Sequence, residues 1–237
     1  MKTLSWSRAA LYGVMTVFCS LIALPFLWMV FSALKTQAEI FTSPFSPPGN
    51  PQWGNFTLAW NAGVGRYILN SFVVTSISVL LIVAVSAMAA YALARLEFKG
   101  RIAFYLLLIT GYAIPIHTVI VPLYEMLKTA NLINNYLALV GPYIAFGVPF
   151  SVFLIYAHFL EFEEAARLDG ASDIQIAWRI VMPLSLPALS SVAIFQGTFI
   201  WNDFLLALIL INDDKLKTLP LGLLVFRGEY STEWPLL

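Results

Sequence analysis

Residues 67–94 read YILNSFVVTSISVLLIVAVSAMAAYALA, without one Asp, Glu, Lys or Arg. A helix rises 1.5 Å per residue, so about 20 apolar residues cross the hydrocarbon core of a bilayer. This stretch is long enough. So are 9–34, 102–124 and 129–160, which are equally free of charge, and 180–212, broken only by Asp203. Composition agrees: 60% of the chain is hydrophobic, 11% is charged and mean hydropathy is +0.82, where soluble domains carry about 25% charged residues. The first apolar run is too long for a cleaved signal peptide, and four more follow it. The expectation is an all-α, polytopic integral membrane protein. It has five transmembrane helices, near 10–34, 68–94, 102–122, 137–158 and 185–211, in a single domain over 1–237.

Formal net charge is +0, which gives no reason to expect nucleic acid as a partner. The single cysteine, Cys19, excludes an intrachain disulfide and any cysteine-based metal site. His117 and His158 are isolated, without metal-ligand spacing, and read as satisfied helix or interface residues. Between the first two spans, 35–66 is rich in Pro, Gly, Asn and Trp and reads as an extramembrane loop. The short link 95–101 is basic, with Arg95, Lys99 and Arg101 against Glu97, and Lys2 and Arg8 precede the first span. Placing the N-terminus in the cytoplasm puts these clusters inside, close to helix ends where the positive-inside rule has most force. That orientation makes 35–66 periplasmic and 161–183 cytoplasmic. Pro115, Pro122, Gly141, Pro142, Gly147 and Pro149 punctuate the third and fourth spans. Bilayers tolerate such breaks where neighbouring helices satisfy the freed backbone groups.

The most informative segment is polar: 161–183, EFEEAARLDGASDIQIAWRIVMP, holds Glu161, Glu163, Glu164, Asp169 and Asp173 between two long apolar spans. Residues 161–168 read as a short helix, with acids in the first turn and Arg167 in the last, matching the helix dipole. Glu163 and Arg167 form an i,i+4 pair, and Gly170 stands where a helix stops. Ser172 and Gln175 have capping-box spacing for a second helix. Ile174, Ala177, Trp178 and Val181 share one face of it, with Gln175 and Arg179 opposite. Pro183 disfavours helical geometry at Met182. Taken alone, this pattern also suits a plain helical hairpin on the membrane surface.

Glu164-Ala165-Ala166, Gly170 and Ile180-Val181-Met182-Pro183 resemble the EAA motif, E-A-A-x3-G-x9-I-x-L-P, with methionine in place of leucine. That motif marks the permease subunits of bacterial ATP-binding-cassette (ABC) importers. Further residues resemble the maltose-type, carbohydrate-uptake branch: 166–172 (ARLDGAS), Pro183-Leu184 with Pro187-Ala188-Leu189, Trp201-Asn202-Asp203-Phe204, and the 91–95 end of the second span. The resemblance implies a MetI-like, type I importer permease fold in the bacterial cytoplasmic membrane. It implies that the link docks as a coupling helix on a separate cytoplasmic ABC ATPase dimer, through Glu164, Ala165, Ala166, Asp169, Gly170, Ile180 and Pro183. It also implies a second homologous permease subunit, a periplasmic or surface solute-binding protein, and a sugar or related solute as substrate. ATP is then bound by the partner, and this chain needs no cofactor of its own. It contains no G-x4-G-K-[ST] phosphate loop. The family core has six spans, so five implies that the last is missing beyond 234–237.

Asp203 is the only acidic residue inside an apolar span. An intramembrane carboxylate is costly without a partner, which makes Trp201, Asn202 and Asp203 candidates for the translocation path or its gate. The competing reading is interhelix packing, with Asn202 or a backbone donor satisfying the carboxylate. Two other classes fit less well. A membrane-embedded enzyme would need a constellation such as H-E-x-x-H or G-x-S-x-G, and the chain has neither. An ion-coupled secondary transporter would carry paired interrupted helices and more intramembrane charge than Asp203 alone.

Overall fold

The computed structural model describes residues 6–159, 173–228 and 232–237. Backbone contacts divide the chain into two compact units, one up to Gly65 with Leu223–Leu237, the other Arg66–Gly222. Three helical stretches are each long and apolar enough to cross a membrane, Arg8–Ala33, Gly54–Arg95 and Leu137–Phe159. Two bent pairs raise the number of candidate spans to five. Among the described residues there is no strand beyond one antiparallel bridge, Arg227 to Thr232.

In the first unit, α1 (Trp6–Ala33) is exposed on every face from Arg8 to Val30. A helix apolar all round is stable in hydrocarbon because each backbone group is satisfied within it. At its end the chain is knotted. Lys35 is fully buried, and its ammonium donates to the carbonyls of Ser43 (2.7 Å) and Pro44 (3.2 Å). Thr36 caps the short α2 (Gln37–Thr42), accepting from the Glu39 amide. The Glu39 carboxylate in turn accepts from the Gly49 amide at 2.8 Å. Helix α3 (Gly54–Ala59) runs into a π-helical turn, Trp60–Val64. Gln37 donates to the Thr232 carbonyl and accepts from the Trp234 amide, which holds the C-terminal segment in this unit.

The second unit is built on α4 (Gly65–Arg95) and α7 (Leu137–Phe159). The buried face of α4 includes Ser71, Val74, Ser78, Ile82, Ser86, Ala90 and Ala94, a three-to-four spacing of mostly small residues. Small side chains let helices approach closely where lipid removes the hydrophobic drive between them. One apolar cluster joins Ala90, Leu93 and Ala94 to Val152, Ile155 and Phe159 of α7, and to Ile176, Val181 and Val192. Arg95 Nη2 donates to the Phe159 carbonyl at 2.6 Å, closing one of the carbonyls a helix end leaves open.

Two of the expected spans are broken in the structure. The third, expected as one helix over 102–122, is a pair: α5 (Arg101–Tyr112) and α6 (Ile116–Thr129), bent by 95°. Pro115 stands at the break in extended geometry (φ −64°, ψ 131°), since proline has no N–H to continue the helix and disfavours helical geometry before it. Pro122, one helix further on, is absorbed within α6. The fifth, expected over 185–211, is α10 (Leu186–Trp201) and α11 (Leu205–Leu210), interrupted at 202–204. Before it lie α8 (Asp173–Ile176), a π-helical turn over Ala177–Val181, and α9 (Met182–Leu184). Met182 is helical (φ −61°, ψ −48°) despite Pro183, which stands in the first turn of α9, where a proline is tolerated. The chain turns at Ser185 instead, where the path bends by 62°. The π-turn also shifts the amphipathic register: Ala177 and Val181 are buried, while Trp178 is 65% exposed. Helix α12 (Leu219–Gly222) ends the unit.

Candidate functional site: an aromatic cleft between broken helices

The break at Ala113–Pro115 opens one wall of a cleft of about 480 Å³. Tyr112, Pro115 and His117 line that wall, α7 contributes Tyr143, Phe146, Gly147 and Phe150, and α10 contributes Phe195, Gln196, Phe199 and Ile200. The rings form a continuous surface: Tyr112 to Phe150 is 5.3 Å between centroids, and Phe150 to Phe195 is 4.6 Å. Such offset contacts hold aromatic faces in place.

A small polar floor lies beneath. Gln196, 4% exposed, donates through Nε2 to the Gly147 carbonyl (3.1 Å) and to Ser151 Oγ (3.1 Å). Ser151 Oγ donates to the same carbonyl at 2.7 Å. A Cβ at 147 would stand 2.6 Å from Ile82 Cδ1 and 3.2 Å from Gln196 Oε1, so glycine lets α4 and α10 side chains close on α7 here. An apolar cleft with a few fixed polar groups is the usual form of a small-molecule site.

Asp203 sits beside this cleft but does not line it. Its Oδ2 accepts from Tyr143 Oη at 2.9 Å and from the Leu206 amide at 3.2 Å. It therefore caps α11 and ties it to α7. Asn202, one of the donors expected for Asp203, gives its Nδ2 to the Thr198 carbonyl instead (2.7 Å). Neither Trp201 nor Asn202 lines the cleft. His117, read from sequence as a satisfied helix or interface residue, stands in the cleft wall.

Of the residues assigned to the coupling link, Glu164, Ala165, Ala166, Asp169 and Gly170 lie outside the described residues. Ile180 is half-buried in the π-turn and Pro183 is exposed, both just ahead of the 62° bend into α10. Pro115, His117 and Gly147 apart, the cleft residues carry no motif in the sequence. Their one signal was spacing: Phe146 with Phe150, and Phe195 with Phe199, are i,i+4 pairs, which share a helix face. Among the described residues, no group of three or more His, Cys, Asp or Glu side chains could hold a metal ion.

The chain belongs to the family of binding-protein-dependent transport system inner membrane components, whose model matches residues 82–232. It is a multi-pass membrane permease. It is 41% identical to the probable ABC transporter permease protein YurM of Bacillus subtilis, over 91% of this chain and 73% of that one. It is 34% identical to the diacetylchitobiose uptake system permease protein NgcG of Streptomyces coelicolor, over 91% and 73%. It is 34% identical to the melibiose/raffinose/stachyose import permease protein MelC of Bacillus subtilis, over 94% and 84%. The fold is that of a chain in the crystal structure of a bacterial ABC transporter involved in import of the acidic polysaccharide alginate. The TM-score is 0.78 at 20% identity, covering 98% of this chain and 85% of the other.

Proposed function

We propose that this chain is the permease subunit of an ABC importer that carries a sugar or related solute across the bacterial cytoplasmic membrane, with its N-terminus in the cytoplasm. The observation that carries the reading is the aromatic cleft, in a chain two of whose relatives, NgcG and MelC, are named for the uptake of oligosaccharides. Sugars present apolar C–H faces that stack on aromatic rings, while a few fixed polar groups orient their hydroxyls. Gln196, Tyr143, His117 and Tyr112 carry the polar groups at that surface, and Phe150 and Phe195 are the central rings.

Energy for transport comes, in this reading, from a separate ATPase dimer docked on the 161–183 link. A second permease subunit completes the path, and a solute-binding protein delivers the sugar. Glu164 meets a basic partner, Ala165 and Ala166 permit close approach, and Gly170 sets the turn. Asp169, Ile180 and Pro183 complete the contact. Force from the link reaches α10 through the π-turn and the bend at Ser185, and α10 carries Phe195, Gln196 and Phe199.

Two measurements test this. Copurification of the ATPase subunit is expected to fall roughly tenfold in Glu164→Lys and in Gly170→Pro, as loss of about 1.4 kcal/mol of binding implies. Full retention in both variants would remove the coupling role. The double variant Phe150→Ala, Phe195→Ala is expected to raise the KM for sugar uptake roughly tenfold, each stacked ring contributing about 0.5–1.5 kcal/mol. An unchanged KM with normal membrane insertion would place the sugar elsewhere.

A further inference from the structure

Residues 40–65 carry no Asp, Glu, Lys or Arg, yet 40–53 belong to no span and the aromatic face of α3 is left without a partner in its unit. Trp53 is 68% exposed, Phe56 55% and Trp60 65%. At about 3.6 residues per turn these three positions fall within an arc of roughly 60°. Trp53 and Phe56 stack, with centroids 6.2 Å apart. Asn55 points the other way: its Nδ2 donates to the carbonyls of Ala33 (2.8 Å) and Lys35 (3.0 Å). The Gln52 amide donates to the Leu34 carbonyl at 2.9 Å. The polar edge of α3 is thus fastened to the carbonyls that the end of α1 leaves open.

The far end of the face is fastened as well. The Trp60 indole lies against Gly65, where an added Cβ would meet ring carbons at 2.8 Å. Gly63, at φ 111°, supplies the left-handed residue that turns the chain into α4. The aromatic face therefore joins the end of one candidate span, Arg8–Ala33, to the first residues of the next, Gly54–Arg95. Consecutive spans put that end and that start on the same side of the membrane, at its surface.

We propose that Trp53, Phe56 and Trp60 form an interfacial anchor seated in the lipid headgroup layer on the side where α1 ends. The occupant of this face is the membrane itself. Depth is the first reason, because hydrogen bonds to residues 33–35 hold α3 level with the end of an apolar span. Chemistry is the second, because tryptophan places an apolar ring in acyl chains and its N–H among headgroups and water. Absence of charge is the third, since a segment standing out in water has no reason to exclude Lys and Glu from the 14 consecutive positions 40–53 that belong to no span. The anchor lies in the surface plane, and its hydrogen bonds to residues 33–35 fix the depth at which α1 ends.

The test uses the full chain, with the subunits it purifies with, in lipid vesicles. In a Cys19→Ser background, a nitroxide on Phe56→Cys is expected to be more accessible to oxygen than to a water-soluble nickel chelate, by about twofold, as for an interfacial site. Independently, the fluorescence lost in Trp53→Phe and in Trp60→Phe identifies the emission of each indole. That emission is expected to be quenched more by lipids brominated near the headgroup end of the chain than near the methyl end. A label favouring the nickel chelate would show the face standing in water and overturn the proposal. A label shielded from both reagents, with indoles unquenched by either lipid, would overturn it in favour of a protein partner.

Discussion

Alanine at Gly222 is expected to lower folding stability by about 3 kcal/mol, at the upper end of overpacking costs. A Cβ at this position would overlap Tyr67 Cδ2 and Cγ. Those atoms are the root of the ring, next to the backbone of α4, so no rotation about a distal bond relieves the collision. Tyr67 is 5% exposed and Gly222 is buried. Nor can the backbone at 222 retreat freely. Asn70 Nδ2 donates to the carbonyls of Lys215 and Lys217, each at 2.9 Å, Tyr136 Oη donates to Asn70 Oδ1 at 2.8 Å, and the Leu219 amide donates to Ser71 Oγ at 2.8 Å. These bonds suture the segment before Gly222 to the first turns of α4. Thermal unfolding in detergent should show Gly222→Ala well below the parent chain, with Tyr67→Ala in the same chain recovering part of the loss. A cycle of the two substitutions isolates the coupling. A melting temperature equal to the parent's would mean that the two segments are not packed as described.

The second large effect is expected at Asp203. Removing its carboxylate in Asp203→Ala leaves the Tyr143 hydroxyl without its acceptor and α11 without its cap. A lost cap costs about 1 kcal/mol, and an orphaned buried hydroxyl about 1–3. Interhelical hydrogen bonds within membranes average only about 0.6 kcal/mol, which argues for the low end of that range. The expected total is about 2 kcal/mol. Asparagine keeps an acceptor oxygen for both donors, so Asp203→Asn is expected to lose less than about 1 kcal/mol. The pair also separates the two readings of this residue. If Asp203 serves packing, stability falls in the order parent, Asn, Ala, and transport by the folded fraction stays close to normal. Transport abolished by Asn at unchanged stability would make the carboxylate itself part of the path.

Both effects depend on partners far away in sequence, which explains why neither could be read from it. Tyr67 and Gly222 are 155 positions apart, and no local pattern marks that one must lack a side chain because of the other. Asp203 was visible as an anomaly, a lone acid in an apolar run, but its partner was not. Asn202 stands next to it and looked suitable, while Tyr143, sixty residues earlier, holds the proton it accepts. Helix geometry decides the matter: at the end of α10 the Asn202 side chain turns back to the Thr198 carbonyl. The breaks were half visible. Prolines marked the third span, yet only Pro115 interrupts it while Pro122 is carried inside α6.

The amino-acid sequence by itself determined that the chain crosses a membrane repeatedly, because uncharged runs of bilayer length have no other stable home. It also determined the family, through the ordered residues of the 161–183 link and the motifs after it. Tertiary structure alone decided where the apolar runs break, which faces of α7 and α10 meet, and that their aromatic rings enclose a cleft. The physical reason lies in the solvent. In lipid, apolar residues are favourable on every face of a helix, so periodicity carries little information about which face packs inward. That choice is made by small residues, hydrogen bonds and voids between helices, and these exist only once the helices are side by side.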